Sequence, residues 1–103
     1  MADTEALRIR LNAETGKLAW KELERFFARG VVIVAAPDLD LVDVAARMVE
    51  DDSAAIQRWI GEGRLARADE RQARDWSARA PTFWAVVAAP WVLVQEVTVP
   101  VVH

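Results

Sequence analysis

The side chains that could carry chemistry are few, and the acidic ones gather before one segment. Asp38, Asp40 and Asp43 stand close together at the expected start of a helix. Converging carboxylates are the ligands that Mg²⁺ and Ca²⁺ prefer, so an enzyme that holds a divalent metal at these residues is one hypothesis. The alternative is that acids at a helix start cap the helix and interact with its dipole. The spacing matches no EF-hand loop, and the alternative is favoured.

The composition argues against the other common kinds of catalytic site. The chain has no cysteine and no tyrosine, and its single histidine is His103, the last residue. A Ser-His or Cys-His pair is therefore close to excluded, and so are zinc sites built from Cys or several His. The four glycines form no phosphate-binding loop. We therefore expect a protein that is not an enzyme, with no cofactor and no metal.

A second pattern concerns nucleic acids. Leu41, Val44, Ala45 and Met48, followed by the run Ile56-Gln-Arg-Trp-Ile-Gly-Glu-Gly-Arg-Leu65, predict two packed helices. The pattern resembles the small helix-turn-helix of excisionase-type and MerR-type DNA-binding proteins. That resemblance implies a second helix in the major groove, with a wing after it. The residues that would contact nucleic acid are Gln57, Arg58, Arg64 and Arg67.

The charge pattern argues against this interpretation. The chain has 13 Lys and Arg against 16 Asp and Glu, for a net charge of −3. The turn between the two helices is Glu50-Asp51-Asp52, which is acidic where phosphates would approach. The simpler interpretation is two helices packed at an angle with a solvated surface, and it is favoured.

Periodicity predicts about five helices. The first helix is predicted to end near Thr15. Leu7, Ile9 and Leu11 also alternate with polar residues, so a strand is the alternative prediction for this segment. The later helices are predicted from Trp20 to Arg29, from Leu41 to Val49, from Ser53 to Gly63 and from Asp69 to Ala80. In the fourth helix, Ile56, Trp59 and Ile60 form the predicted inner face.

Apolar runs predict the strands. Val31 to Ala36, Phe83 to Ala89 and Trp91 to Val97 are strand-like, and Arg64 to Ala68 is a short fourth candidate. Pro90 marks a bend, a bulge or a sheet edge.

The C-terminal block suggests a partner. From Ala80 to Val102 the only charged residue is Glu96, and a chain of 103 residues has difficulty covering both faces of such strands alone. A second subunit could cover one face, so a homodimer is expected. The expected interface residues are Trp84, Trp91, Val92 and Val94, whereas Trp20, Trp59 and Trp76 lie on apolar helix faces and are assigned to the core.

Several blocks taken together resemble a known family. They are Trp20 to Gly30, Leu39 to Ala45, Asp51-Asp52, the spaced Trp59 and Trp76, and Phe83 to Gln95 with its Pro-Trp-Val-Leu-Val-Gln ending. They are similar to a family of small uncharacterised bacterial proteins, known only as a domain of unknown function. The resemblance implies no catalytic residue, cofactor or partner.

The sequence therefore predicts a single small α+β domain over residues 1–97, with about five helices packed on a sheet of three to four strands, and a C-terminal tail over 98–103. The start of the chain has no apolar h-region, so a cytoplasmic protein is expected. The leading function is a non-enzymatic protein–protein interaction module that forms a homodimer. A winged helix-turn-helix-like nucleic-acid-binding module is the alternative, and a carboxylate and divalent-metal enzyme is the third.

Overall fold

A five-stranded mixed sheet forms the centre of the molecule. The computed structural model describes residues 2–97. The strands are β1 (Gly16–Ala19), β2 (Val32–Ala35), β3 (Leu65–Arg67), β4 (Thr82–Ala88) and β5 (Trp91–Glu96). Their order across the sheet is β1-β4-β5-β2-β3. The central β2–β5 pair is parallel and the other pairs are antiparallel.

Five helices complete the α+β domain, as predicted. They are α1 (Ala2–Glu14), α2 (Trp20–Ala28), α3 (Leu41–Val49), α4 (Ser53–Gly61) and α5 (Glu70–Arg79). Leu7, Ile9 and Leu11, whose alternation was also compatible with a strand, lie in helix α1. None of the helices in residues 2–97 has the length and apolar character needed to cross a membrane.

The sheet separates two apolar clusters. On one face α1, α3 and α4 cover a cluster that includes Leu11, Val44 and Leu93. On the other face α2 and α5 cover a cluster built on Trp20 and Trp76. Successive strand residues point to opposite faces, so buried strands such as β5 contribute to both clusters.

Two expectations about the sheet were wrong. Three to four strands were predicted, and the fifth is β1, a short strand of exposed or half-buried residues that pairs with β4. The expectation that the chain has difficulty covering both faces of its strands alone also fails, because its own helices cover the middle of both faces. The predicted tail over 98–103, with His103, lies outside the described residues.

Gln95 connects the central strand to the segment before α3. Its Nε2 donates to the carbonyl oxygens of Ala36 and Leu39, at 2.8 and 2.7 Å. This segment follows β2, and it leads to the N-cap residue Asp40, whose carboxylate accepts from the amides of Val42 and Asp43. The Gln95 amide therefore fixes where α3 begins against the sheet.

Replacing Gln95 tests this connection. Gln95→Leu keeps an apolar stem but removes both hydrogen bonds and leaves two carbonyls without that donor. We expect a loss of about 1–3 kcal/mol in the free energy of unfolding, measured by urea denaturation. Gln57→Leu is the matched control, because Gln57 is exposed, and it should change stability much less. Equal stability of the two variants would contradict the role given to Gln95.

Candidate binding groove on helix α4

A groove runs between α4 and the sheet, and we call it the α4 groove. Its six defining residues are Met48, Ile56, Gln57, Ile60, Arg67 and Trp91. It consists of two adjoining concavities that share Met48, Ile56 and Trp91. One, of about 320 Å³, lies beside the β4–β5 turn and includes Gln57. The other, of about 170 Å³, lies beside β3 and includes Ile60 and Arg67.

Local sequence signals position the helix that forms one wall. The Asp52 carboxylate caps α4 by accepting from the amide of Ala55 at 3.2 Å. At the other end Gly63 takes a φ of 74°, which L side chains rarely adopt, so it can follow the helix as a C′ glycine. Ala55 and Trp59 are buried and hold α4 on the sheet. The predicted helix and its C-terminal glycine are confirmed, but the cap is Asp52, one residue before the predicted start.

The opposite wall carries an ordered cation. The guanidinium carbon of Arg67 lies 5.2 Å from the centroid of the Trp91 ring, within the range of a cation–π interaction. Among residues 2–97, Arg67 forms no ion pair. A guanidinium stacked in this way keeps its N–H groups at its edge for an acceptor. The groove therefore combines apolar walls with one cation that has no acidic partner in the described chain.

Ile60 departs from the sequence prediction. It was assigned to the inner face of α4 with Ile56 and Trp59, yet its side chain is 49% exposed. The sheet beneath α4 ends at the three-residue edge strand β3, so the last turn of the helix has little to pack against. Periodicity identifies a helix face, but it does not report how far the neighbouring sheet extends.

The structure brings together some of the predicted nucleic-acid contacts and separates others. Gln57 and Arg67 both line the α4 groove. Arg58 is exposed outside it, with its guanidinium carbon 6.0 Å from the Trp59 ring. Arg64 is engaged by two acids, Asp38 at 2.6 Å and Glu62 at 3.1 Å.

The predicted interface residues fall into two groups, two tryptophans that reach the surface and two valines that are buried. Trp91 lines the groove, and Trp84 is 38% exposed near β1, with the Lys17 Nζ 5.0 Å from its ring centroid. Val92 and Val94 are buried in the cluster covered by α2 and α5. These two valines are therefore too buried in the folded chain to form the expected interface, because its own helices cover most of their surface.

The three candidate metal ligands do not converge. Asp38 pairs with Arg64, Asp40 caps α3, and Asp43 forms ion pairs with Arg8 and with Arg47. Within the described range of the chain, no group of three or more His, Asp or Glu side chains could hold a metal ion. These three residues do not form the cluster that the metal hypothesis requires, because capping and ion pairing use their carboxylates separately.

The acidic turn before α4 is partly neutralised. The pKa of Asp52 is lowered, first by the hydrogen bond from the Ala55 amide and then by the Arg47 guanidinium, which donates at 2.9 Å. Glu50 accepts from the Thr4 hydroxyl at 2.9 Å. Asp51 lies at the mouth of the larger concavity with a φ of 58°. Asp51 is thus the acid of this turn that faces the groove.

Comparison with known proteins identifies the family. Residues 6–96 match the family described as "Protein of unknown function (DUF2288)", and the chain belongs to it. It is also similar to the NMR solution structure of PA1075 from Pseudomonas aeruginosa, with 38% identity and a TM-score of 0.79. The match covers 100% of this chain and 94% of that one. No curated protein matches significantly.

These comparisons confirm the predicted family and the α+β fold. They carry no information about activity, partners or the helix-turn-helix resemblance, which stays a prediction.

The lowered pKa of Asp52 predicts a pH dependence of stability. A carboxylate whose pKa is lower in the folded state stabilises the fold above its unfolded pKa of about 3.9, and this contribution is lost as pH falls through the folded pKa. Asp52→Asn should therefore have a lower Tm than the wild type at about pH 6, and the difference should shrink toward about pH 2. Circular dichroism melts at several pH values measure it.

An exposed acid outside the groove provides the control. Glu24→Gln changes a carboxylate to an amide on α2. Among the described residues Glu24 forms no ion pair, so its variant should show no such shrinking difference. A pH-independent Tm difference for Asp52→Asn would show that the charge of Asp52 does not matter.

Proposed function

We propose that the chain is a non-enzymatic cytosolic protein–protein interaction module that pairs with a second copy of itself through the α4 groove. The observation that carries this proposal is the exposed Ile60 side chain beside an apolar recess on the same face. The interface differs from the one expected from sequence, and Trp91 is the residue common to both.

Symmetry explains why this combination matters. In a two-fold symmetric dimer the same patch is used by both copies, so the patch must fit itself. The α4 groove contains both a protruding side chain, Ile60, and the 170 Å³ recess beside it. Under a two-fold rotation, Ile60 of each copy enters the recess of the other, and burying the exposed half of its side chain contributes about 1 kcal/mol.

The state of the carboxylates supports a role without catalysis. A general base works best with a pKa near the operating pH, which usually requires a carboxylate pKa to be raised. Asp52 and Asp75 have lowered pKa values because hydrogen bonds and neighbouring arginines stabilise their charged forms. Neither is suited to accept a proton near neutral pH.

Sedimentation with two matched variants tests the dimer. The wild type should approach twice the chain mass of 11.5 kDa as concentration rises through the micromolar range. Ile60→Glu should stay monomeric, because it places a charge in the apolar contact. Ile9→Glu is the control, since Ile9 is 66% exposed on α1 outside the groove, and it should dimerise like the wild type.

Each outcome has a clear meaning. Circular dichroism melts confirm that both variants fold. A wild type that is monomeric at every concentration overturns the proposal, and so does a dimer that Ile60→Glu leaves intact.

A specific observation also keeps nucleic-acid binding as a second candidate. Around the edge strand β3, the arginines that form no ion pair within residues 2–97 are Arg58, Arg67, Arg71 and Arg74. Arg58 is on α4 and Arg71 and Arg74 are on α5, and these two helices cover opposite faces of the sheet. Arginines without acidic partners are the side chains that contact a phosphate backbone.

Fluorescence anisotropy of labelled duplex DNA and single-stranded RNA, measured over a range of salt, tests the second candidate. If it holds, affinity falls steeply with salt, and Arg58→Ala or Arg67→Ala each lowers the salt slope by about 1. Arg10→Ala, on α1, is the control and should leave the slope unchanged. Absence of binding at low salt excludes this function.

A further inference from the structure

We propose that a second cleft, on the opposite face of the sheet, binds a small apolar carboxylate such as a medium-chain fatty acid. We call it the β4 cleft and define it by Leu18, Arg25, Phe26, Ala85, Val87 and Val92. Its volume is about 260 Å³, and α2 forms one wall and β4 the other.

The cleft exists because the helix layer on this face stops short of the β4–β5 turn. Phe83, Ala85 and Val87 are alternate residues of β4 and face the same side. Phe83 is fully buried against Trp76, with ring centroids 4.9 Å apart, whereas Val87 is 59% exposed. The aromatic cluster of α2 and α5 thus covers one end of the strand and leaves the other end open.

The sheet is also incomplete at this point. The pairing of β1 with β4 begins at Gly16 and Ala85, so the stretch of β4 that includes Val87 has no β1 neighbour. Leu18 and Phe26, both half-buried, border the same opening. The cleft thus has an apolar floor that opens to water where β4 has no paired strand on its outer side. Such an opening favours an apolar ligand.

Two cations line the cleft, and the Lys17 Nζ lies 5.0 Å from the ring of Trp84, which faces the other side of β4. Arg25 therefore supplies the polar group that selects the ligand. Its guanidinium carbon lies 4.8 Å from the centroid of the Phe26 ring. It forms no ion pair with any residue in the described part of the chain. Glu14, the acid that lines the cleft, is 4.0 Å from Arg10. One oriented guanidinium over an apolar floor matches a carboxylate on an apolar body, since the two groups can form paired hydrogen bonds.

The volume limits the size of the ligand. Pockets for drug-sized molecules usually have about 300–1,000 Å³, and the β4 cleft is slightly smaller than this range. A short acyl chain or a single ring with one carboxylate therefore fits better than a long lipid. The β4 cleft and the α4 groove lie on opposite faces of the sheet, so this inference does not depend on the proposed dimer.

Titration of the ¹⁵N-labelled full chain with octanoate, below its micelle concentration, tests the inference. We expect amide shifts centred on Phe26 and Val87, with an affinity that exceeds those of octanol and octylamine. Arg25→Gln should weaken octanoate binding by about tenfold, as expected for the loss of one charge-assisted hydrogen bond. Arg29→Gln is the matched control at the C-terminal end of α2 and should bind octanoate like the wild type.

A second variant tests the cleft by shape. Val87→Trp places a large side chain at an exposed position, where it should be tolerated, and it should block octanoate by filling the opening. The inference is overturned if octanoate causes no shifts, if its shifts centre on the α4 groove, or if octanol binds as tightly. It is also overturned if Arg25→Gln and Arg29→Gln bind octanoate equally.

Discussion

The structure depends on the burial of β5 on both faces and along both edges. Val92, Leu93 and Val94 are buried, and the strand pairs with β4 on one side and with β2 on the other. A strand of this kind needs an apolar layer above and below it, because its side chains alternate between the two faces. The helices α1, α3 and α4 supply one layer, and α2 and α5 supply the other. This requirement places the two helix layers.

A chain of 103 residues supplies only short helices for two layers, and the coverage ends before the sheet does. Both openings lie toward the β4–β5 turn, with Trp91 at one and Val87 at the other. Each opening has an arginine stacked on an aromatic ring, Arg67 on Trp91 and Arg25 on Phe26. The candidate sites are thus a consequence of limited helix length.

The fold determines which partner each charged residue interacts with. In the sequence, Asp38, Asp40 and Asp43 form one acidic cluster, but in the structure they belong to three separate interactions. Arg64 and Arg67 are only three residues apart, yet their ion pairing also differs. Arg64 is neutralised by Asp38, which is 26 residues away in sequence, whereas Arg67 is not paired within the described chain. Such long-range pairs cannot be read from spacing.

The sequence by itself determined the helices and the buried strands, because periodicity, capping residues and apolar runs are local signals, and its residue blocks carried the resemblance to the family. The start of α5 beside Asp69 and the central strands are where those signals placed them. Only the tertiary structure decided that β1 joins the sheet, that Val92 and Val94 are covered by the chain's own helices, and that Ile60 is exposed. Each of these depends on how far an element distant in sequence extends, and the local sequence does not indicate that extent.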